Sequence, residues 1–145
     1  MAVTKFLARD LTFEIATDDS GGSFIEVKGL HSLTHSPSST DADTSDFESE
    51  GHDEHLKASR GDTWTITGFT LEDVVTGDRD PGQAACEALA QLVGPAAMGI
   101  FRITSPGGNT IVFTASIEVT LAGGATNDAA AWNATVKTSG AMEFA

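Results

Sequence analysis

From Thr110 the chain alternates without a break: Ile111, Phe113, Ala115, Ile117, Val119 and Leu121 fall on one parity, and Thr114, Ser116, Glu118 and Thr120 on the other. A period of two predicts a strand with one buried and one solvated face. Upstream, "GIFRIT" (Gly99 to Thr104) is its hairpin partner, because the intervening "SPGGN" supplies the Pro and Gly of a tight turn. A third strand, Ala129 to Thr138, sets Ala130, Trp132, Ala134 and Val136 against Ala131, Asn133, Thr135 and Lys137 after the small-residue turn "AGGATND", and Ala141 to Ala145 adds a short edge. In the first half, Leu11 to Ile15 and Phe24 to Lys28 are strands joined through "TDDSGGS". Trp64 and Ile66 alternate with Thr63, Thr65 and Thr67 until Gly68 shifts the phase before Phe69 and Leu71, which predicts a bulge or bend at Gly68.

One segment breaks the period. In "DRDPGQAACEALAQLVGP", Asp80 suits an N-cap, Pro81 the first helical position and Gln83 the third residue of a capping box, with Gly94 and Pro95 closing the far end. A helix over 80–93 follows, with Ala85, Leu89, Leu92 and Val93 as the stripe laid on the sheet. Burying its three larger side chains is worth roughly 1.5 to 3 kcal/mol each. The pattern predicts a mainly β fold, a small antiparallel β-sandwich or half-barrel with one α-helix packed outside it and a long loop between strands.

The 145 residues have the length of one domain, 1–145, and the 40% hydrophobic content is that of a globular chain. Charge changes the picture more. A formal net charge of −13 repels nucleic acid and anionic membrane at long range, so direct DNA or RNA grip and a membrane partner are not expected. No run approaches the roughly 18 apolar residues of a membrane span, and the N-terminus lacks a signal-like apolar stretch, so folding in a cytoplasm is expected. The lone Cys86, inside the predicted helix, is expected to be a buried, inert thiol. The sequon Asn133-Ala134-Thr135 has meaning only in a glycosylating pathway.

The acid is concentrated in "STDADTSDFESEGHDEH", Ser39 to His55, which holds seven carboxylates and two histidines with no lysine or arginine. Asp41, Asp43 and Ser45 imitate the first ligand positions of an EF-hand loop. The imitation fails where Asp46 replaces the turn glycine and His52 the closing glutamate. His52 and His55, with Asp53 and Glu54 between, lack the HExxH spacing of a helical zinc pair. No metal and no cofactor are expected. A catalytic centre has no foothold either: there is no G-x-S-x-G elbow, and the Gly-rich segments lie between strands rather than before a helix, which favours turns over phosphate cradles. The threonine rows suit a solvated strand face, and Trp64 and Trp132 suit the core.

Taken in order, "FIEVKGLHSL", "DADTSDFESEGHDEHLKASRGD", "TWTITGF", "TGDRDPGQAACEAL", "IFRITSPGGNTIVFTASIEV" and "NDAAAWNATVKTSGAMEF" cover nearly all of Phe24 to Phe144. This succession resembles the major tail tube proteins of long-tailed bacteriophages with non-contractile tails, a family related in fold to the tubes of contractile tails and type VI secretion. The closing small and aromatic residues that run into "KTSG" and a last short strand carry much of the likeness. The resemblance implies a virion protein of the tail, assembled in the host cytoplasm and without catalysis. It would form hexameric rings that stack into a hollow tube through which DNA passes, meeting tape-measure, tail-tip and terminator proteins. Six copies at −13 each would repel passing phosphates from the lumen. In that setting Ile25, Val27, Trp64, Ile66, Ile117 and Val119 face the core, while Glu26, Lys28, Thr65, Thr67, Ser116 and Glu118 face the lumen.

The resemblance also implies that the long loop 36–59 reaches a neighbouring subunit or ring. Its inter-subunit residues would be Asp41, Asp43, Asp46, Phe47, Glu48, Glu50, Asp53 and Glu54. Two carboxylates about 7 Å apart in water repel by roughly 0.6 kcal/mol, so this loop is expected to stay open in the monomer until Lys57, Arg60, Arg79 or Arg102 of a neighbour meets it. Two alternatives share the composition. The tube of a contractile tail or type VI-like system has the same fold, and an acidic carbohydrate- or calcium-binding β-sandwich would also be β-rich and acidic.

Overall fold

The computed structural model describes residues 3–18, 21–121 and 127–145. The turns expected at 17–23 and 122–128 fall partly outside them. Eight strands form one antiparallel sheet: β1 (Thr12–Ala16), β2 (Phe24–Glu26), β3 (Leu30–Asp43), β4 (His55–Phe69), β5 (Gly99–Thr104), β6 (Thr110–Leu121), β7 (Ala131–Thr138) and β8 (Glu143–Phe144). Their order is β2-β1-β5-β6-β7-β4-β3, with β8 continuing beside β6 where β7 ends. The strands predicted at 99–104 and 110–121 have the observed bounds, and the turn between them closes through Ser105 and Asn109 with Gly108 at φ 89°.

The sheet curls rather than splitting into two layers, so of the two expected forms it takes the half-barrel. Trp64 on β4 stacks 6.0 Å from Phe113 on β6 although β7 lies between them, and Phe113, Phe101 and Phe13 continue the ring stack across the concave face. Phe13, Ile15, Val27, Trp64, Ile66, Phe101, Ile103, Phe113, Ile117, Trp132 and Val136 are buried there, with Ile25 and Val119 packed at the margin. The six positions expected to face the core do so.

Helix α1 (Pro81–Ala90) lies over this face against β6, β1 and β2. Asp80 caps it by accepting from the Gln83 backbone N–H at 3.1 Å, and Pro81 opens it. Two features differ from the pattern's prediction. The helix stops at Ala90, before the leucine-valine pair, so Leu92 and Val93 are exposed and the stripe narrows to Ala85, Cys86 and Leu89. Gly94, at φ 70°, turns the chain into a separate 3-10 turn over Gly94–Ala97.

Gln83 is not spent on a capping box. Fully buried, its amide N–H2 donates to the Lys28 and Phe69 carbonyls, each at 2.8 Å, and its Oε1 accepts from the Leu71 backbone N–H at 3.1 Å. These bonds tie the end of β2 to the end of β4 and so close the curl. Gly82 and Gly68 permit the same closure: a Cβ on Gly82 would strike the Glu26 carbonyl, and one on Gly68 would come 2.5 Å from the Gly29 carbonyl oxygen. The bulge predicted at Gly68 lies opposite it instead, between Leu30 and Ser32 of β3. Among the described residues no helix is long and apolar enough to cross a membrane.

Candidate assembly interface

The segment 36–59, expected as an open loop, is instead the outer part of a two-stranded arm. β4 pairs with β7 only from Thr63 onward, while β3 and β4 stay paired from Leu30↔Gly68 out to Asp43↔His55. Beyond Thr63 the arm has no sheet on its other side, and 36–48 and 50–60 are exposed on both faces. Its ladder is therefore held by backbone bonds, not by burial, which is why hydrophobic alternation gave no sign of it. Serine and threonine supply the strand propensity along β3. Pro37, which has no N–H to donate, is tolerated because β3 is the last strand of the sheet.

The base of the arm is anchored by Asp62. Burial alone would raise its pKa, but hydrogen bonds from His35 Nε2 at 2.7 Å and Arg60 Nη2 at 3.0 Å outweigh burial and hold the carboxyl below the usual range. His35 also stacks on Trp64, with ring centroids 4.6 Å apart, and the Thr138 hydroxyl donates to the Asp62 carbonyl. At the tip, Asp46 accepts from the Glu48 backbone N–H and caps a 3-10 turn over Phe47–Ser49. Ser45 bridges to Glu54 in both directions, and Glu50 and Gly51 reverse the chain with φ of 53° and 83°. The backbone N–H of Ser45, followed by its hydroxyl, lowers the pKa of Asp43.

The arm brings Asp41, Asp43, Asp46, Phe47, Glu48, Glu50, Asp53 and Glu54 to one projecting end, all of them exposed. Phe47 shows its whole ring to solvent. Of the four cations expected to wait for a neighbour's acid, three are engaged at home: Arg60 with Asp62, Arg79 with Glu87 at 2.6 Å, and Arg102 with Glu14 at 2.7 Å. Glu87 also accepts from Trp132 Nε1, a bond that fastens α1 to β7. Arg102 lies over the Phe24 ring at 4.1 Å.

Across β4, β7 and the second half of β6 the convex face of the sheet is polar, whereas Phe24, Ile100 and Val112 make its β2–β5 side more apolar. Cross-strand registers align Thr65 with Thr135 and Glu118, Thr67 with Asn133 and Thr120, and Thr63 with Lys137 and Ser116. Thr65, Thr67, Ser116 and Glu118 thus form one continuous patch. Glu26 shares the face across Glu14 at the β2 edge, whereas Lys28 lies past the end of β2. Hydroxyls dominate this surface, with Glu118 and Lys137 in its middle, so the acidic surplus sits mainly on the arm and on the turn of Glu72, Asp73 and Asp78. Among the described residues β2 and β3 have a neighbouring strand on one side only, with the short turn of Ala8–Asp10 lying against part of β3.

No protein-family model and no curated protein sequence matches the chain. Solved structures do. A chain in the tail of an empty gene transfer agent particle, determined with C6 symmetry, superposes with a TM-score of 0.75 at 20% identity, over 97% of this chain and 99% of that one. A chain from the virion of a native gene transfer agent particle gives 0.74 at 17% identity over the same shares. A chain in the six-fold symmetrised baseplate of the anti-feeding prophage gives 0.61 at 5% identity, over 99% of this chain and 97% of that one. The whole chain therefore has the fold of subunits found in such tail assemblies.

Proposed function

We propose that this chain is a non-catalytic structural subunit of a phage-like tail, forming six-membered rings that stack into the tail tube. The observation that carries this reading is the full-length likeness to chains taken from a tail determined with C6 symmetry, a gene transfer agent virion and a six-fold symmetrised baseplate. The monomer's surface supports it: two unpaired strand edges are an invitation to join sheets between neighbours, and closing six sheets into one barrel removes them. The hydroxyl-rich convex patch of Thr65, Thr67, Ser116 and Glu118, with Glu26 at its margin, would then line the lumen, while Lys28, past the end of β2, stands apart from it. Such a wall offers DNA little positive charge to bind. The arm 36–59 would cross to the adjacent subunit or ring, and tape-measure, tail-tip and terminator proteins would meet the ends of the tube.

The non-contractile form is the one that the sequence resemblance implies. A tube of a contractile tail or type VI-like system is the alternative. Sedimentation velocity over a range of concentrations tests the ring. The expected result is monomer giving way to a six-subunit species and heavier multiples of it, and a ladder of dimers and tetramers would contradict the reading.

A further inference from the structure

Of the eight lysines and arginines, Arg60, Arg79 and Arg102 are consumed by internal carboxylates, and the other five are exposed with no ion pair among the described residues. Of those five, Arg9 and Lys28 stand together at one groove. Both line a groove of about 200 Å³ where the N-terminal segment meets the turn from β2 into β3. Leu11, Val27, Leu30 and Leu33 supply its apolar lining, and Glu26 is the acid among the lining residues. A cavity of about 150 Å³ holds a benzene ring, so this one has room for an aromatic side chain.

The complementary feature sits at the other end of the same strand. β3 is 14 residues long, about 45 Å at full extension, with the groove at Leu30 and the acidic tip beyond Asp43. The tip presents Phe47, wholly exposed, on an ordered turn with Glu48 and Glu50 beside it. Because tip and groove lie at opposite ends of β3, a copy shifted along the strand direction can fill the groove with its tip. A contact of this head-to-tail kind leaves a free tip and a free groove at the two ends and therefore propagates.

We infer that the Arg9 and Lys28 groove is the receptor for the arm tip of a second copy of this chain. The Phe47 ring enters the apolar lining, and Glu48 and Glu50 meet the two cations. The inference rests on the tube reading above and assigns the contact that joins one ring to the next.

The test measures the protein concentration needed for rods, by pelleting and electron microscopy at fixed ionic strength. Wild type is expected to form rods. Phe47→Ala, Lys28→Glu and Glu48→Lys should each raise the threshold by about tenfold or more, as loss of a buried aromatic anchor or a charge match does at an interface. Combining Lys28→Glu with Glu48→Lys should bring it most of the way back. All three side chains are exposed in the monomer, so unchanged monomer melting confirms that folding is intact. Rods from Phe47→Ala and Lys28→Glu at the wild-type threshold would overturn the docking and leave the tube reading standing. Failure of the charge swap to recover assembly would overturn the pairing of Glu48 with Lys28. A wild type that forms no rods at any concentration would remove the tube reading and this inference together.

Discussion

Glu14 shows how much of the chain's charge is already committed. On the polar face of β1 it accepts two hydrogen bonds from Arg102, at 3.1 and 2.7 Å, and one from the Thr104 hydroxyl at 3.0 Å. Burial acts to raise its pKa, and the Arg102 and Thr104 bonds overcome that and lower it. A carboxyl depressed in the folded state stabilises the fold above its unfolded value and loses that contribution as pH falls through the folded value. Glu14→Gln should therefore cost about 1 to 2 kcal/mol at pH 7. The gap to wild type in thermal melts should narrow once the pH drops below about 4.3 and vanish under more acidic conditions. A gap that widened on acidification would refute the assignment. The pairing itself was hidden in sequence: Glu14 and Arg102 are 88 positions apart, and only the β1–β5 register brings them face to face. Cys86 was easier to foresee, since a lone thiol inside a helix laid on a sheet suits burial, and burial pushes it up to about 12.

Among the elements, legibility followed burial. Strands β5, β6 and β7 alternate because one face lies on the core, and Asp80-Pro81 marks the helix start by chemistry that acts within one turn. β3 was illegible for the opposite reason: past His35 both of its faces meet water, and the register shifts at Leu30/Ser32 and Thr40/Asp41 break what little period remains. The far end of α1 misled because Leu92 and Val93 continue the apolar spacing although the helix has already ended. Gln83 carries the largest consequence. Gln83→Leu keeps the volume but orphans two carbonyls and one backbone N–H in the core. We expect a loss of about 2 to 4 kcal/mol in urea denaturation, and a loss under about 0.5 kcal/mol would show that the closure does not depend on it. The arm should behave in the reverse way. Deleting Asp41 to Glu54 and rejoining β3 to β4 by a short turn removes no core side chain, so the monomer's melting temperature should shift by no more than a few degrees while rod formation is abolished. Normal rods from that deletion would contradict the arm's role.

At the scale of the whole molecule, a half-barrel closed by Gln83 leaves open edges, an acidic arm at one end of β3 and a cationic groove at the other. Each of these is a loose end in a monomer and would have a place in the proposed stack of rings. The charge distribution also sharpens the account of the lumen. The patch around Thr65, Thr135 and Glu118 is mostly hydroxyl, so as the proposed lumen wall it would resist DNA binding by offering few cations rather than by a dense field of carboxylates. The most direct test is electron microscopy of concentrated protein with helical reconstruction of whatever forms. Hollow six-fold rods are expected, with the row of Thr65, Thr135 and Glu118 on their inner wall. A monodisperse monomer under every condition, or a tube with that row on its outer wall, would contradict it.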